Sequence, residues 1–178
     1  MKIQKLMTKR NAFLALSLGI ALFMSFPVTQ VSALKWHSII TDGSVEYWND
    51  ENDLTYWDEK NVGGTYLKNP IPYSGSYSVE FDVQAEWISQ DYSGLSSRTW
   101  TLRLKARLES AGSYTGIILV ILYEGGYDSS TKDVTSTSWT SFSNSYTGIP
   151  TGIMVGCYEI TPHVLIDALD FGWLEVDP

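Results

Sequence analysis

The sequence predicts an all-β protein with the architecture of an antiparallel β-sandwich. Three observations lead to this prediction. Apolar and polar residues alternate with a period of two in mid-chain, the run 116–123 is continuously apolar, and Gly, Ser, Asn and Asp recur between such runs. After residue 33, no stretch shows the 3.6-residue period of an amphipathic helix.

Two segments, 77–87 and 100–108, carry the alternation. In the first, one face holds Tyr77, Val79, Phe81, Val83, Ala85 and Trp87. In the second, one face holds Trp100, Leu102, Leu104, Ala106 and Leu108. Each pattern predicts one half-buried strand. The polar faces are acidic in 77–87 and basic in 100–108, so the two strands are either neighbours with cross-strand ion pairs or two separate solvated faces.

The remaining strands are predicted from shorter signals. The run 116–123 is rich in β-branched residues and fits a central strand that is buried on both faces. Gly125-Gly126 and residues 128–130 are expected to end it as a turn. A Ser/Thr-rich edge strand is then expected over 134–142.

Pro162 separates two final strands, 152–160 and 163–176. The polar and aromatic segment 42–73 is expected to form loops and short strands that wrap an edge of the sandwich.

The first 33 residues have the pattern of a secretory signal. Lys2, Lys5, Lys9 and Arg10 precede an apolar run of about 17 residues, the short end for a membrane span, and the small residues of 31–33 follow it. A cleaved signal is the main prediction and a retained membrane anchor is the alternative. In both cases 34–178 forms one β-domain, secreted or held at the cell surface.

The charge of that domain restricts its partners. All 20 acidic residues follow residue 33, whereas four of the 12 basic residues precede it, which leaves 8 basic residues and a formal charge of −12. This charge argues against nucleic acid or an anionic membrane as a partner, because phosphates are bound by Lys and Arg. The lone Cys157 allows no intrachain disulfide, so it is either a small buried hydrophobe or an interchain thiol.

Five motifs, taken in order, resemble the galactose-binding-like β-jelly rolls that include several families of carbohydrate-binding module. They are DGSVEYW at 42–48, Trp57, SGSYSV at 74–79, STSWT at 136–140 and VLID at 164–167. The resemblance implies a jelly-roll sandwich over 34–178. One departure is that Ala168 follows Asp167, where such modules often have a second Asp.

The resemblance also implies a structural calcium ion. Glu46 and Asp167 would bind it through their side chains, and backbone carbonyl groups near Ser74 and Ser76 would complete the site. Asp167 alternates with Leu165, Leu169 and Phe171, so a carboxylate is expected on an apolar face and needs a cation or good donors there. Backbone N–H groups or an arginine such as Arg98 are the alternative partners.

Aromatic side chains are the second candidate site. The chain has 7 Trp and 11 Tyr, and sugar rings stack on aromatic planes. Trp48, Trp57, Tyr92 and Tyr127 lie in polar, loop-like settings, where exposure and ligand binding are expected. The alternative for each of them is a place in the core.

Catalysis has little support in the sequence. His37 and His163 stand in no metal-ligand spacing, and no nucleophile elbow or phosphate-binding glycine loop is present. The leading hypothesis is therefore a secreted, non-catalytic module that binds an extracellular glycan or cell-surface polymer. The alternative is a subunit of a surface coat or filament that self-associates by strand addition, with 34–40 as the donated strand.

Overall fold

Two antiparallel sheets face each other in the computed structural model, which describes residues 33–60, 67–112, 114–159 and 163–176. Their strands are β1 (Leu34–Ser38), β2 (Asp58–Lys60), β3 (Lys68–Asn69), β4 (Ser78–Phe81), β5 (Trp87–Asp91), β6 (Arg98–Leu108), β7 (Thr115–Tyr123), β8 (Gly126–Val134), β9 (Thr140–Gly148), β10 (Pro150–Glu159) and β11 (Val164–Val176). Sheet I has the order β3-β4-β11-β6-β9, with β1 also paired to β11, and sheet II has the order β2-β5-β10-β7-β8. The predicted all-β sandwich is confirmed.

The core lies between the sheets and is built by alternate residues of the long strands. The five predicted inward residues of β6, from Trp100 to Leu108, are each at most 2% exposed. Ile117, Leu119 and Ile121 of β7 face them at 0% exposure. The two middle-strand predictions, 100–108 and 116–123, are confirmed because a period of two places every second side chain on one face.

The predicted single strand 77–87 is wrong. β4 ends at Phe81 in sheet I, the chain turns through 82–86, and β5 begins at Trp87 in sheet II. The carboxylate of Glu86 makes this turn, since its Oε2 accepts the N–H groups of Asp82 at 2.9 Å and Val83 at 3.2 Å. Glu86 is 1% exposed although the alternation placed it on the polar face. Apolar and polar residues continue to alternate through the turn, so the pattern alone does not reveal that the chain changes sheets.

The acidic and basic strands are not neighbours. β11 lies between β4 and β6 and pairs with both. Arg103 of β6 therefore forms its ion pair with Asp170 of β11, and the alternative of cross-strand pairs between 77–87 and 100–108 is wrong.

The boundaries around β8 and β9 also differ from the prediction. A two-residue turn at Glu124-Gly125 joins β7 to β8, so 128–130 lie inside a strand and not in a turn. The expected strand 134–142 is wrong in its bounds, because Val134 ends β8, residues 135–139 connect the two strands, and β9 begins at Thr140. Despite its polar sequence, β8 is a strand at a sheet edge, because its backbone pairs with the apolar β7 along its whole length.

The C-terminal strands confirm the prediction for 152–160 and 163–176, apart from residues 160–162, which lie outside the described residues. In its described part, the segment 42–73 contributes β2 and β3, both at sheet edges, as expected. β1, the expected donated strand, pairs with β11 of its own domain from Leu34↔Val176 to Ser38↔Gly172.

Cys157 is buried at 3% exposure, and its Sγ lies 2.9 Å from the carbonyl oxygen of Val83. Burial raises the pKa of the thiol to about 11. The interpretation of this residue as a buried hydrophobe is confirmed.

Residues 34–176 form one compact unit. The signal expected over 1–33 lies outside the described residues except for Ala33, and so do residues 61–66. Within the described ranges, no helix has the length and apolar character of a membrane span.

Candidate functional site

Asp167 is a fully buried carboxylate, at 0% exposure. Its Oδ2 accepts the N–H groups of Tyr73 at 2.7 Å and Ser74 at 2.9 Å, and its Oδ1 accepts the N–H of Ala168. A β-bulge between Asp167 and Asp170 places it there, with Ala168 at a φ of 50°. Three backbone donors thus hold one carboxylate against the loop before β4.

Glu46 holds the other end of the same loop. Its Oε1 accepts the N–H groups of Ser76 at 2.7 Å and Tyr77 at 3.1 Å. Gly75 lies between these contacts at a φ of 73°, and a Cβ on it would lie 2.2 Å from Oε1 of Glu46. The loop therefore needs glycine here both for its backbone conformation and for the close approach of the carboxylate.

The structure thus brings together all four residues expected to bind calcium, Glu46, Ser74, Ser76 and Asp167. Burial raises the pKa of Asp167, the three N–H donors oppose this shift, and the negative charge of Glu46 adds to it. We call this group the carboxylate loop site. Val45, with a φ of 50°, and Ala168 adjoin its two acids, and strained non-glycine residues of this kind cluster at binding sites.

Two details of the expectation for Asp167 differ. Phe171 faces the core and not the side of Asp167, because the bulge shifts the alternation by one residue. The guanidinium group of Arg98 lies over the ring of Trp173, 4.2 Å from its centroid, and bonds to Ser96. Of the two alternatives to a cation, backbone N–H groups are the observed partners of the Asp167 carboxylate, and Arg98 is not one of its partners.

A second site is a cleft of about 410 Å³ at the β2–β5 edge of sheet II. It is lined by Ile39, Thr41, Thr55, Tyr56, Trp57, Asp58, Ser89, Gln90, Asp91 and Tyr92. We call it the Gln90 cleft, because the buried amide of Gln90 joins the segments that form it. Its Nε2 donates to the carbonyl oxygens of Thr41 at 2.6 Å and Tyr56 at 3.0 Å, and its Oε1 accepts the hydroxyl of Tyr92 at 2.8 Å.

The four aromatic residues expected to bind ligand do not form one surface. Trp57 is 4% exposed and donates its indole N–H to the carbonyl oxygen of Asp42 at 3.2 Å, so its expected exposure is wrong. Tyr92 is half-buried and stacks on Phe171, with ring centroids 5.4 Å apart. Both residues line the Gln90 cleft, and the polar group of each ring, the indole N–H of Trp57 and the hydroxyl of Tyr92, donates a hydrogen bond within the protein.

The other two lie outside the cleft. Trp48 is half-buried and donates to the carbonyl oxygen of Val45 at 2.6 Å. Tyr127 is 63% exposed on β8. The exposed rings at the cleft are Tyr56 and its edge-to-face neighbour Tyr47, at 49% and 59% exposure. Sequence reasoning missed both, although each adjoins a tryptophan that it had selected.

The cleft continues onto the outer face of sheet II. Backbone pairing aligns Asp91, Gly152, Leu122 and Tyr127 in one row across four strands. This row, the Asp91 row, is about 15 Å long because strands lie about 4.8 Å apart. Gly152 leaves the middle of the row without a side chain, and a Cβ there would lie only 2.9 Å from Oδ1 of Asp91.

The β2 side of the cleft is acidic. Burial raises the pKa of Glu59 to about 7, and the nearby charges of Asp53, Asp58 and Asp50 add to the shift. Asp58 itself lines the cleft. These groups favour uncharged or cationic ligands over anions.

A third cavity, of about 350 Å³, lies on the outer face of sheet I. Its two cations already have partners. Arg103 lies 3.5 Å from the ring centroid of Trp36 and pairs with Asp170, while Lys105 donates to Ser141 at 2.7 Å. We therefore place no ligand there.

Comparison with known proteins defines the class of fold. No protein-family model and no curated protein matches the chain. Among solved structures, the carbohydrate-binding module TmCBM61, determined in complex with β-1,4-galactotriose, has a TM-score of 0.59 at 14% identity, covering 76% of this chain and 97% of its own. The CBM22-1 xylan-binding domain of Paenibacillus barcinonensis Xyn10C has a TM-score of 0.54 at 11% identity, covering 85% and 99%.

The C-terminal family 22 module of Clostridium thermocellum Xyn10B has a TM-score of 0.51 at 16% identity, covering 75% of this chain and 96% of its own. The protein therefore has the β-sandwich fold of carbohydrate-binding modules. The resemblance that the sequence motifs suggested is confirmed at the level of the fold.

Proposed function

We propose that this protein is a non-catalytic carbohydrate-binding module that takes glycan in the Gln90 cleft and along the Asp91 row. The observation that carries the proposal is the combination of an exposed Tyr56 ring with the side chains of Asp58, Ser89 and Asp91 around one cleft. Aromatic faces bind the C–H faces of sugars, and flanking carboxylate and hydroxyl groups accept and donate hydrogen bonds to sugar hydroxyls. Related folds that bind xylan or galactotriose support it.

Glycan binding is tested by calorimetric titration of the protein with a panel that includes xylohexaose and β-1,4-galactotriose. Tyr56→Ala and Asp91→Ala should each weaken binding about tenfold, because each removes about 1–2 kcal/mol of contact. Tyr73→Ala is the matched control, because Tyr73 is an exposed tyrosine in the loop before β4 and does not line the cleft. Tyr127→Ala should weaken the binding of only those longer oligosaccharides that span the row. Absence of binding across the panel, or equal loss in the Tyr73 variant, contradicts the proposal.

We further propose that the carboxylate loop site holds a structural calcium ion. The donor chemistry fits in part, because the carboxylates of Glu46 and Asp167 lie near each other and carboxylate oxygens are hard ligands of the kind that Ca²⁺ prefers. The 74–76 segment contacts both acids through its N–H groups, and its carbonyl oxygens are the further ligands in this proposal. A bound cation would neutralise the two acids and tie the segment before β2 to β11. The chain itself supplies the orientation through the N–H contacts of the loop.

Chelation should lower the melting temperature by several degrees, because an ion bound only by the native state stabilises it. Glu46→Gln should abolish this response, while its amide oxygen keeps an acceptor for Ser76 and Tyr77. Thermal unfolding in calcium and in EDTA measures both. If the wild-type protein melts at the same temperature in the two buffers, the calcium proposal fails.

The site of action is proposed to be extracellular or at the cell surface, from the signal pattern in 1–33. N-terminal sequencing of the protein recovered from the medium or the cell envelope tests it. A chain that starts near residue 34 supports a cleaved signal, and an intact Met1 in the envelope supports an anchor.

A further inference from the structure

Three side chains that lie far apart in sequence meet at one end of sheet I. Glu80 belongs to β4, Glu109 directly follows β6, and His163 directly precedes β11. Val164 pairs with Phe81 on one side and with Leu108 on the other. His163, Glu80 and Glu109 are the sequence neighbours of these three paired residues, so they lie close together. The N–H of Glu109 also donates to the carbonyl oxygen of His163 at 3.0 Å. Paired backbone therefore fixes all three residues, which we call the His163 cluster.

The distances within the cluster are close to those of a metal site. Nδ1 of His163 lies 2.8 Å from Oε1 of Glu80 and 3.5 Å from Oε2 of Glu109. One donor atom from each residue falls within 4.8 Å of the others. Tetrahedral zinc with bonds of about 2.0–2.1 Å separates its ligands by about 3.3 Å. Small side-chain rotations bring these three atoms to that spacing.

A buried neighbour orients one of the carboxylates. Asn69 is 6% exposed and donates from Nδ2 to Oε2 of Glu80 at 2.6 Å, while its own Oδ1 accepts the N–H of Ile71 at 2.9 Å. This contact leaves Oε1 of Glu80 directed at His163. Outer contacts of this kind hold ligands in place in known metal sites.

The cluster offers acceptor atoms of the kind that a cation binds. Two carboxylates face one imidazole, and the guanidinium group of the nearby Arg107 donates to the backbone carbonyl oxygens of Leu108 and Glu109. The His163 side chain is 43% exposed, which leaves a path for an ion and room for a water ligand. Imidazole nitrogen with carboxylate oxygen suits zinc better than calcium.

We propose that Glu80, Glu109 and His163 bind a Zn²⁺ ion that links β4, β6 and β11. The sequence concealed the site because its ligands lie in β4, directly after β6 and directly before β11, and show no motif spacing. The zinc site is separate from the Gln90 cleft and from the carboxylate loop site, so it stands or fails independently of glycan and calcium binding.

The test is calorimetric titration of the protein with Zn²⁺ in excess Ca²⁺, which occupies hard oxygen sites, followed by Co²⁺ absorption spectroscopy. We expect one Zn²⁺ per chain and visible Co²⁺ bands of low-coordinate geometry. His163→Gln and Glu109→Gln should weaken Zn²⁺ binding at least tenfold and remove the Co²⁺ bands.

His37→Gln is the matched control, because His37 also pairs with a glutamate, Glu175, at 3.1 Å but has no third ligand among the described residues. Its zinc affinity should equal that of the wild-type protein, and unchanged melting curves show that the variants fold. No zinc binding, or equal binding by the His163 variant, overturns the proposal and leaves a histidine–carboxylate ion pair only.

Discussion

Replacing Asp167 by alanine should lower the free energy of unfolding by about 3–4 kcal/mol. The substitution leaves the N–H groups of Tyr73, Ser74 and Ala168 without their acceptor. Each buried N–H left unsatisfied costs about 1–3 kcal/mol. Removal of the repulsion by Glu46 returns part of this energy, so the net loss is smaller than the sum.

Urea denaturation of the wild-type and Asp167→Ala proteins, both in EDTA, measures this effect without any contribution from a bound ion. Asp133→Ala is the control, because that carboxylate is exposed and accepts a hydrogen bond from the Tyr158 hydroxyl at 3.2 Å. It should change stability by less than about 1 kcal/mol. A similar small change for Asp167→Ala would show that the loop stays folded without its acceptor.

Glu86→Ala is expected to destabilise the protein by about 2–4 kcal/mol, the second large effect. Oε2 of Glu86 accepts the N–H groups of Asp82 and Val83 in the turn that carries the chain from sheet I to sheet II. The side chain is buried, so water does not replace it fully. Loss of these contacts should loosen the β4–β5 crossing, seen as faster amide exchange over 82–86.

Glu86→Gln separates the hydrogen bonds from the charge, because the amide keeps one acceptor oxygen. Burial raises the folded-state pKa of Glu86, and Asp82 adds to the shift, so Glu86 contributes most to stability below its unfolded pKa of about 4.5. That contribution is lost as pH rises through the folded pKa. Glutamine does not titrate, so the stability of the Gln variant relative to wild type should increase from pH 5 to pH 8. A constant difference across this range would contradict the assigned shift.

Much of the fold follows from local pattern. A period of two in β6 and the apolar run of β7 determine which side chains are inward, because successive residues of any strand point to opposite faces. The resemblance implied that Glu46 and Asp167 share one site, and in the structure both acids contact the loop before β4. Whether a calcium ion binds there remains a prediction.

Other features depend on partners that are distant in the sequence. The turn at 82–86 arises from an inward Glu86, and the polar β8 is a strand because β7 pairs with it. The Gln90 cleft exists because one buried amide joins Thr41, Tyr56 and Tyr92.

The sequence by itself therefore determined the sandwich and its two long core strands, and its motifs singled out Glu46 and Asp167 as one site. Only the tertiary structure decided where the chain changes sheets, which aromatic rings stay exposed and that Glu80, Glu109 and His163 adjoin. Periodicity records how one residue relates to its neighbours in the same strand, whereas these features depend on side chains that packing of the two sheets brings into contact.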